Sequence, residues 1–113
     1  MALKRIILEM GTGNDLHGSD YTKAALRAVQ DALHHSSLAF IKSLGLDSSK
    51  MNVDVTIGVQ KPEKVDAEAV RKSLPRGQVK VRVVKGGLDI PEEEGHDEAV
   101  IASAAIEVRY DLP

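Results

Sequence analysis

The clearest pattern in the sequence is the strict alternation of apolar and polar residues over positions 51–59. A period of two is typical of a β-strand that buries one face, so this segment is predicted to be a strand. The same alternation over residues 78–83 and 100–110 predicts two more strands. Residues 3–10 contain an unbroken Ile-Ile-Leu run, which is typical of a strand buried on both faces, and the glycines that follow are expected to stop its pairing.

Helical spacing dominates between residues 19 and 45. Ser19 or Asp20 can cap this helix because the side-chain oxygen of either residue accepts a hydrogen bond from a free backbone N–H group. Gly45 is expected to end it. Residues 34–37, His-His-Ser-Ser, have low helix propensity and predict a bend or a division near the middle. The apolar positions that set the spacing are Ala25, Val29, Ala32, Leu33, Phe40 and Leu44.

A second, short helix is predicted from a cap at Asp66 to Leu74, where Pro75 and Gly77 end it. The order β-α-β-α-β-β predicts an α/β chain: an α+β two-layer sandwich with a four-stranded mixed sheet and two helices on one face. Right-handed crossovers make the first three strands parallel. Because about 13 residues follow strand three, strand four need not form a hairpin with it. Strand four can instead run antiparallel between strands one and two, in the sheet order one, four, two, three.

The sheet face that the helices leave uncovered is predicted to be a mixture of small and polar groups. Such a face suits either solvent or a contact between subunits, and we expect a homo-oligomer. Its predicted members are Asn52, Asp54, Thr56, Lys80, Arg82, Ser103 and Ala105, around Ile101 and Val84.

Composition limits the class of protein. With 113 residues and 42% hydrophobic content, residues 1–113 are predicted to form a single domain. A net charge of −2 gives no electrostatic basis for binding nucleic acid or an anionic membrane surface, so neither partner is expected. Cysteine is absent, which removes disulfides and thiolate ligands, and the first ten residues lack the apolar stretch of a signal peptide. A cytoplasmic location is the expectation.

Residues 11–18, Gly-Thr-Gly-Asn-Asp-Leu-His-Gly, form the candidate site. Glycine permits close approach of the backbone to a ligand, and a strand-to-helix junction exposes free N–H groups, so Gly11, Gly13 and Gly18 are candidate ligand-binding residues. Ligands bind outside the carboxyl ends of parallel strands. The three loops at that edge are expected to bring Asp15 and His17 near Lys61, Asp89, His96 and Asp97.

Asp15 and His17 are two positions apart, and two chemical roles stay open for them. They can be metal ligands, with Glu9, Asp89, His96 or Asp97 completing a divalent metal site. Alternatively, Asp15 orients His17, which acts as a general base or acid, while Lys23 or Lys61 attracts an anionic substrate. The non-functional interpretation is a tight turn in which Asp15 bonds to nearby backbone and His17 packs against the helix.

The segment Gly11-Thr12-Gly13-Asn14-Asp15-Leu16-His17-Gly18 resembles the N-terminal GxGxDxHG motif of the uncharacterised Lin conserved-hypothetical family of bacteria and plants. Every fixed position of that motif is filled, and the resemblance extends over nearly the whole chain. It implies no established activity. By element order the chain is also similar to the fold of small bacterial chorismate mutases and YjgF-type deaminases, which implies a trimer with clefts between subunits, although a shared fold does not transfer function.

Two functions are therefore expected as alternatives. In the first, the protein binds a small polar or anionic metabolite around Asp15 and His17, with acid–base or metal-assisted chemistry. In the second, it is a non-catalytic ligand-sensing or structural subunit of an oligomer. The sequence decides neither whether the protein is an enzyme nor whether residues 86–98 close over a ligand.

Overall fold

A computed structural model of the chain describes residues 3–34, 43–74, 77–91 and 98–112. The regular elements, in chain order, are β1 (Leu3–Asp15), α1 (Tyr21–His34), β2 (Asn52–Val59), α2 (Ala67–Lys72), β3 (Gln78–Lys85), β4 (Leu88–Ile90) and β5 (Ala99–Asp111). Two 3-10 turns, Ser48–Lys50 and Pro62–Lys64, lie before β2 and after it. The described chain is thus an α+β fold with a mixed five-stranded sheet and two α-helices.

The sheet follows the order β1-β5-β2-β3. Strand β5 is antiparallel to both β1 and β2, whereas β2 and β3 are parallel. Since β5 is the predicted strand four, the order one, four, two, three is confirmed. The predicted strand number is wrong, because Leu88–Ile90 forms an additional short strand that pairs with the first residues of β5. Long connections hide such three-residue strands from pattern analysis.

Strand β1 is five residues longer than predicted. It was expected to end at Met10, but pairing with β5 continues through Gly11, Gly13 and Asp15. The glycines therefore lie inside a strand instead of forming a loop. A register shift between Arg5 and Ile7 lets the strand adjust before this segment begins.

Close packing of α1 explains why glycine occupies two positions of β1. A Cβ atom at Gly13 would lie 2.3 Å from the backbone nitrogen of Ala28 and 2.4 Å from the carbonyl oxygen of Ala24. A Cβ atom at Gly11 would lie 2.4 Å from the backbone nitrogen of Ala32. Any side chain at these positions would push the helix away from the sheet.

The predicted helix caps are confirmed. The Asp20 carboxylate accepts a hydrogen bond of 3.0 Å from the backbone N–H of Lys23, and that of Asp66 accepts one of 3.1 Å from Ala69. Helix α2 ends at Lys72, two residues before the predicted Leu74. The predicted middle of the first helix, including Phe40 and most of the His-His-Ser-Ser segment, lies outside the described residues.

The core lies between the helices and one face of the sheet. It is formed by alanines of α1 and by the alternating apolar residues of the central strands, which confirms their predicted inward parity. The fully buried members with the largest side chains are Ile57, Val29, Val55, Val59, Val70, Val100 and Val108. In the described ranges, no helix is both long and apolar enough to cross a membrane.

The other face of the sheet divides into two halves. At one end, Arg109 pairs with Asp54 at 2.8 Å and with Glu107 at 2.9 Å, and Arg5 contacts Glu107 at 3.3 Å. At the end nearer the carboxyl ends of β2 and β3, apolar side chains stand exposed. They are Met10 (68% exposed), Val84 (39%), Leu88 (57%) and Ile90 (48%).

Candidate functional site

Asp15 ends β1 as a buried carboxylate, only 2% exposed. One oxygen accepts a hydrogen bond of 2.8 Å from the backbone N–H of Asp20. The other lies 3.8 Å from Nζ of Lys23 and 3.9 Å from a guanidinium nitrogen of Arg27. A negative charge at this position is favourable because it faces the positive end of the α1 dipole. Asp15 therefore fixes the start of the helix against the end of the strand.

The turn between β1 and α1 explains the last glycine of the motif. Gly18 has φ = +97°, a backbone conformation that favours glycine, and Ser19 follows with φ = +50°. His17 is exposed, while Asp15 is buried beneath the helix start. Ser19 donates a hydrogen bond of 3.3 Å from its hydroxyl to the carbonyl oxygen of Glu98, which ties the turn to the start of β5.

Tyr21 and Asp89 form a second polar contact at this edge. The phenol of Tyr21, 2% exposed, donates a hydrogen bond of 2.6 Å to one carboxylate oxygen of Asp89. Burial raises the pKa of Tyr21 well above its usual range, and the hydrogen bond to Asp89 and the negative charges of Asp89, Glu98 and Glu63 raise this pKa further. The phenol consequently stays protonated as a donor.

The remaining oxygen of Asp89 is buried and receives no hydrogen bond in the part of the chain described here. A buried acceptor without a donor is costly, so this atom marks a place where a donor would be stabilising. The Lys64 ammonium lies 5.9 Å from the centre of the Tyr21 ring, on the same side of the molecule.

Asp89 was predicted at this edge from the sequence, but its partner Tyr21 was not. The pair depends on the pairing of Asp89 with Val100, which turns the Asp89 side chain toward the helix layer. A three-residue strand has no recognisable sequence pattern. The contact between Asp89 and the first residue of α1 was therefore not predicted. The tyrosine next to the predicted cap Asp20 was the available hint.

Other predicted site residues are placed as follows. Lys23, predicted to attract an anionic ligand, has its Nζ 3.8 Å from a carboxylate oxygen of Asp15. Lys61 is exposed at the start of the Pro62–Lys64 turn. His96 and Asp97 lie outside the described residues, and the described ones contain no group of three acidic or histidine side chains arranged to hold a metal ion.

Comparison with known proteins now identifies the family. The model of a conserved hypothetical family, Lin0512, matches residues 5–108. The chain belongs to the Lin0512 family. This Lin0512 protein is also similar to a solved structure from Nostoc punctiforme PCC 73102, described as an FtsZ-like protein of unknown function. The two are 37% identical, the similarity covers 99% of each chain, and the TM-score is 0.86. No curated protein matches the chain.

Proposed function

We propose that this Lin0512 protein is a non-catalytic structural or ligand-sensing subunit of a homo-oligomer. The observation that carries the proposal is that the motif glycines and Asp15 are engaged in packing. Gly11 and Gly13 let α1 approach β1, and Gly18 adopts a positive φ in the turn. Asp15 is held by Asp20, Lys23 and Arg27. A motif built this way preserves a shape without requiring chemistry.

The apolar half of the open face is the subunit contact in this proposal. Monomeric proteins rarely expose large contiguous apolar patches, and this half of the face carries the exposed side chains of Met10, Val84, Leu88 and Ile90. The charged half of the face, where Arg109 pairs with Asp54 and Glu107, lies outside this contact. The chorismate-mutase/YjgF-like fold analogy favours three copies arranged around this contact. As a separate part of the proposal, we place the protein in the cytoplasm.

Light scattering on the purified protein at micromolar concentration tests the proposal. We expect an oligomer, and we expect Leu88→Lys to dissociate it because Leu88 lies on the apolar half of the open face. Leu44→Lys is the matched control, since both leucines are 57% exposed and Leu44 lies three positions before Asp47, whose backbone N–H bonds to Tyr110 near the other end of β5 from Leu88. A monomeric wild-type protein, or equal effects of the two variants, would overturn the proposal.

A second candidate function is the binding of a small polar or anionic metabolite at the edge that holds Asp15, His17, Lys23 and Lys61. The observation that favours it is the buried Asp89 oxygen without a hydrogen-bond donor at this edge. In the catalytic form of this proposal, His17 accepts or donates a proton, and Asp15 orients the imidazole ring of His17. In the metal-dependent form, both are ligands of a divalent ion, together with His96 and Asp97.

Metal content and metabolite binding distinguish these forms. We expect protein purified without chelators to carry a divalent metal, or a metabolite to raise its melting temperature, and His17→Ala to abolish that effect. His34→Ala is the control because both histidines are exposed, and His34 lies at the opposite end of α1. If His17→Ala leaves metal content and metabolite response unchanged, His17 has no part in either form.

A further inference from the structure

We propose that the outer edge of β3 binds an extended segment of a partner protein, in which apolar and acidic residues alternate. The partner would add a strand to the sheet beside β3. This surface lies apart from the apolar half of the open face, which forms the proposed subunit contact, and from the junction of β1 with α1, so the inference goes beyond the proposed function.

The backbone of β3 leaves hydrogen-bonding groups unused on its outer side. The N–H of Gln78 bonds to Met51 at 2.8 Å, and the N–H of Gly86 bonds to Val59 at 2.9 Å. Both bonds point to the β2 side, and residues of a parallel strand alternate between its two sides. The outward groups consequently belong to Val79, Val81, Val83 and Lys85, and no described residue pairs with them.

The inner side of this edge is apolar. Val79, Val81 and Val83 pack against the core but stay only partly buried. Their side chains belong to the helix-facing side of the sheet, where α2 covers β3 incompletely. An added strand would cover the exposed part of these valines with every second side chain, so apolar residues are required at those positions.

The opposite side of the same edge is basic. Lys80 and Arg82 are exposed on the open face, and neither forms an ion pair within the described ranges. Arg82 donates only to the hydroxyl of Thr56, at 3.3 Å. The intervening side chains of an added strand would meet these cations, so acidic residues complement them.

A second copy of the chain fits this edge poorly. Two β3 strands placed edge to edge would bring Lys80 and Arg82 against the same cations of the second copy, and like charges across an interface are unfavourable. The other edge of the sheet, β1, is covered where Asp31 and Arg27 bond to Thr12 and Asn14. The occupant is therefore a partner segment with acidic character.

A labelled peptide with the repeat Val-Glu, seven residues long, tests the inference by fluorescence anisotropy. We expect saturable binding to the full chain, and at least a tenfold loss of affinity when alternate backbone nitrogens of the peptide are methylated. Methylation removes the donors of a new strand and keeps the charge. A Val-Lys peptide of equal length should not bind.

Variants of the protein locate the site. Lys80→Glu combined with Arg82→Glu should weaken Val-Glu binding at least tenfold, whereas Lys4→Glu combined with Lys50→Glu makes the same charge change elsewhere and should weaken it far less. In nuclear magnetic resonance spectra, the peptide should shift the amide signals of Val79, Val81 and Val83 most strongly.

Three results would overturn the inference: no binding up to millimolar peptide, equal binding of the methylated peptide, or amide shifts centred away from β3. These outcomes are independent of self-association, because Leu88→Lys should change the oligomeric state and leave peptide binding intact.

Discussion

The two edge strands of the sheet, β1 and β3, differ in how their outer sides are protected. At β1, helix α1 lies so close that only glycine fits at two positions, and its side chains bond to the strand backbone: Asp31 accepts from Thr12 at 2.9 Å and Arg27 donates to the Asn14 carbonyl at 2.6 Å. At β3, the outward backbone groups have no such partner among the described residues, and cations flank them. Proteins use covering elements or charge to prevent edge-to-edge aggregation, and this chain uses one at each edge.

The difference between the two edges gives the glycine-rich motif at residues 11–18 a physical meaning. Gly11, Gly13 and Asp15 all serve the junction of β1 with α1, and none of these contacts requires a ligand. The β3 edge has no comparable motif, although its outward backbone groups are unpaired among the described residues. A distinctive sequence motif therefore marks the β1 edge, where α1 covers the strand, whereas the unpaired β3 edge can be recognised only from the sheet topology.

Gly13→Ala is expected to have the largest effect on the closed edge. The new methyl group would lie 2.4 Å or less from backbone atoms of α1, which cannot move without separating helix and sheet. Overpacking of this kind should lower the free energy of unfolding by about 3 kcal/mol or more. Urea denaturation measures it. Gly58→Ala is the control, since a Cβ there has its nearest neighbour at 3.4 Å, and an equal loss in both variants would contradict the packing argument.

Asp15→Asn should have the next largest effect on stability. Asparagine keeps the shape but removes the charge that faces the helix N-terminus, Lys23 and Arg27. We expect a loss of about 2 kcal/mol in urea denaturation, because a buried charged acceptor is replaced by a neutral one. Asp20→Asn is the control, as asparagine caps helices as well as aspartate does. If Asp15→Asn proves as harmless as Asp20→Asn, the carboxylate does not anchor α1.

Tyr21→Phe tests the contact that ties β4 to α1. Loss of the bond to Asp89 should cost about 1.5 kcal/mol at neutral pH. Folding raises the pKa of Tyr21 above its ordinary value near 10, so the folded state holds the phenol proton more tightly. The stabilisation is complete below pH 10 and declines as the pH rises above it. Denaturation at several pH values should thus show that the difference in free energy of unfolding between wild type and Tyr21→Phe decreases only at alkaline pH. A difference that stays constant up to pH 11 would contradict this.

The sequence predicted the sheet order because alternation and loop length are local signals. Residues 51–59 alternate strictly, and the long connection before β5 allowed an antiparallel strand in the centre of the sheet. The extent of β1 was mispredicted because glycine has two uses. It ends strands in turns, and it also admits a closely packed helix; only the alanines at positions 24, 28 and 32 hinted at the second use. The Tyr21 contact could not be predicted, since it depends on a strand of three residues.

Amide hydrogen exchange gives the smallest but most direct test of the two edges. Asp31→Ala removes the acceptor for the Thr12 amide, whereas Asp31→Asn keeps an acceptor oxygen. Alanine has the higher helix propensity, by about 0.6 kcal/mol, and the hydrogen bond is worth about 1 kcal/mol, so the alanine variant should be less stable by only about 0.4 kcal/mol. The Thr12 amide should nevertheless exchange faster in Asp31→Ala than in Asp31→Asn.

The outward amides of Val79, Val81 and Val83 should exchange rapidly in every variant, because no described residue covers them. Slow exchange at these valines in the free protein would mean that the β3 edge is already occupied, and the two edges would no longer differ.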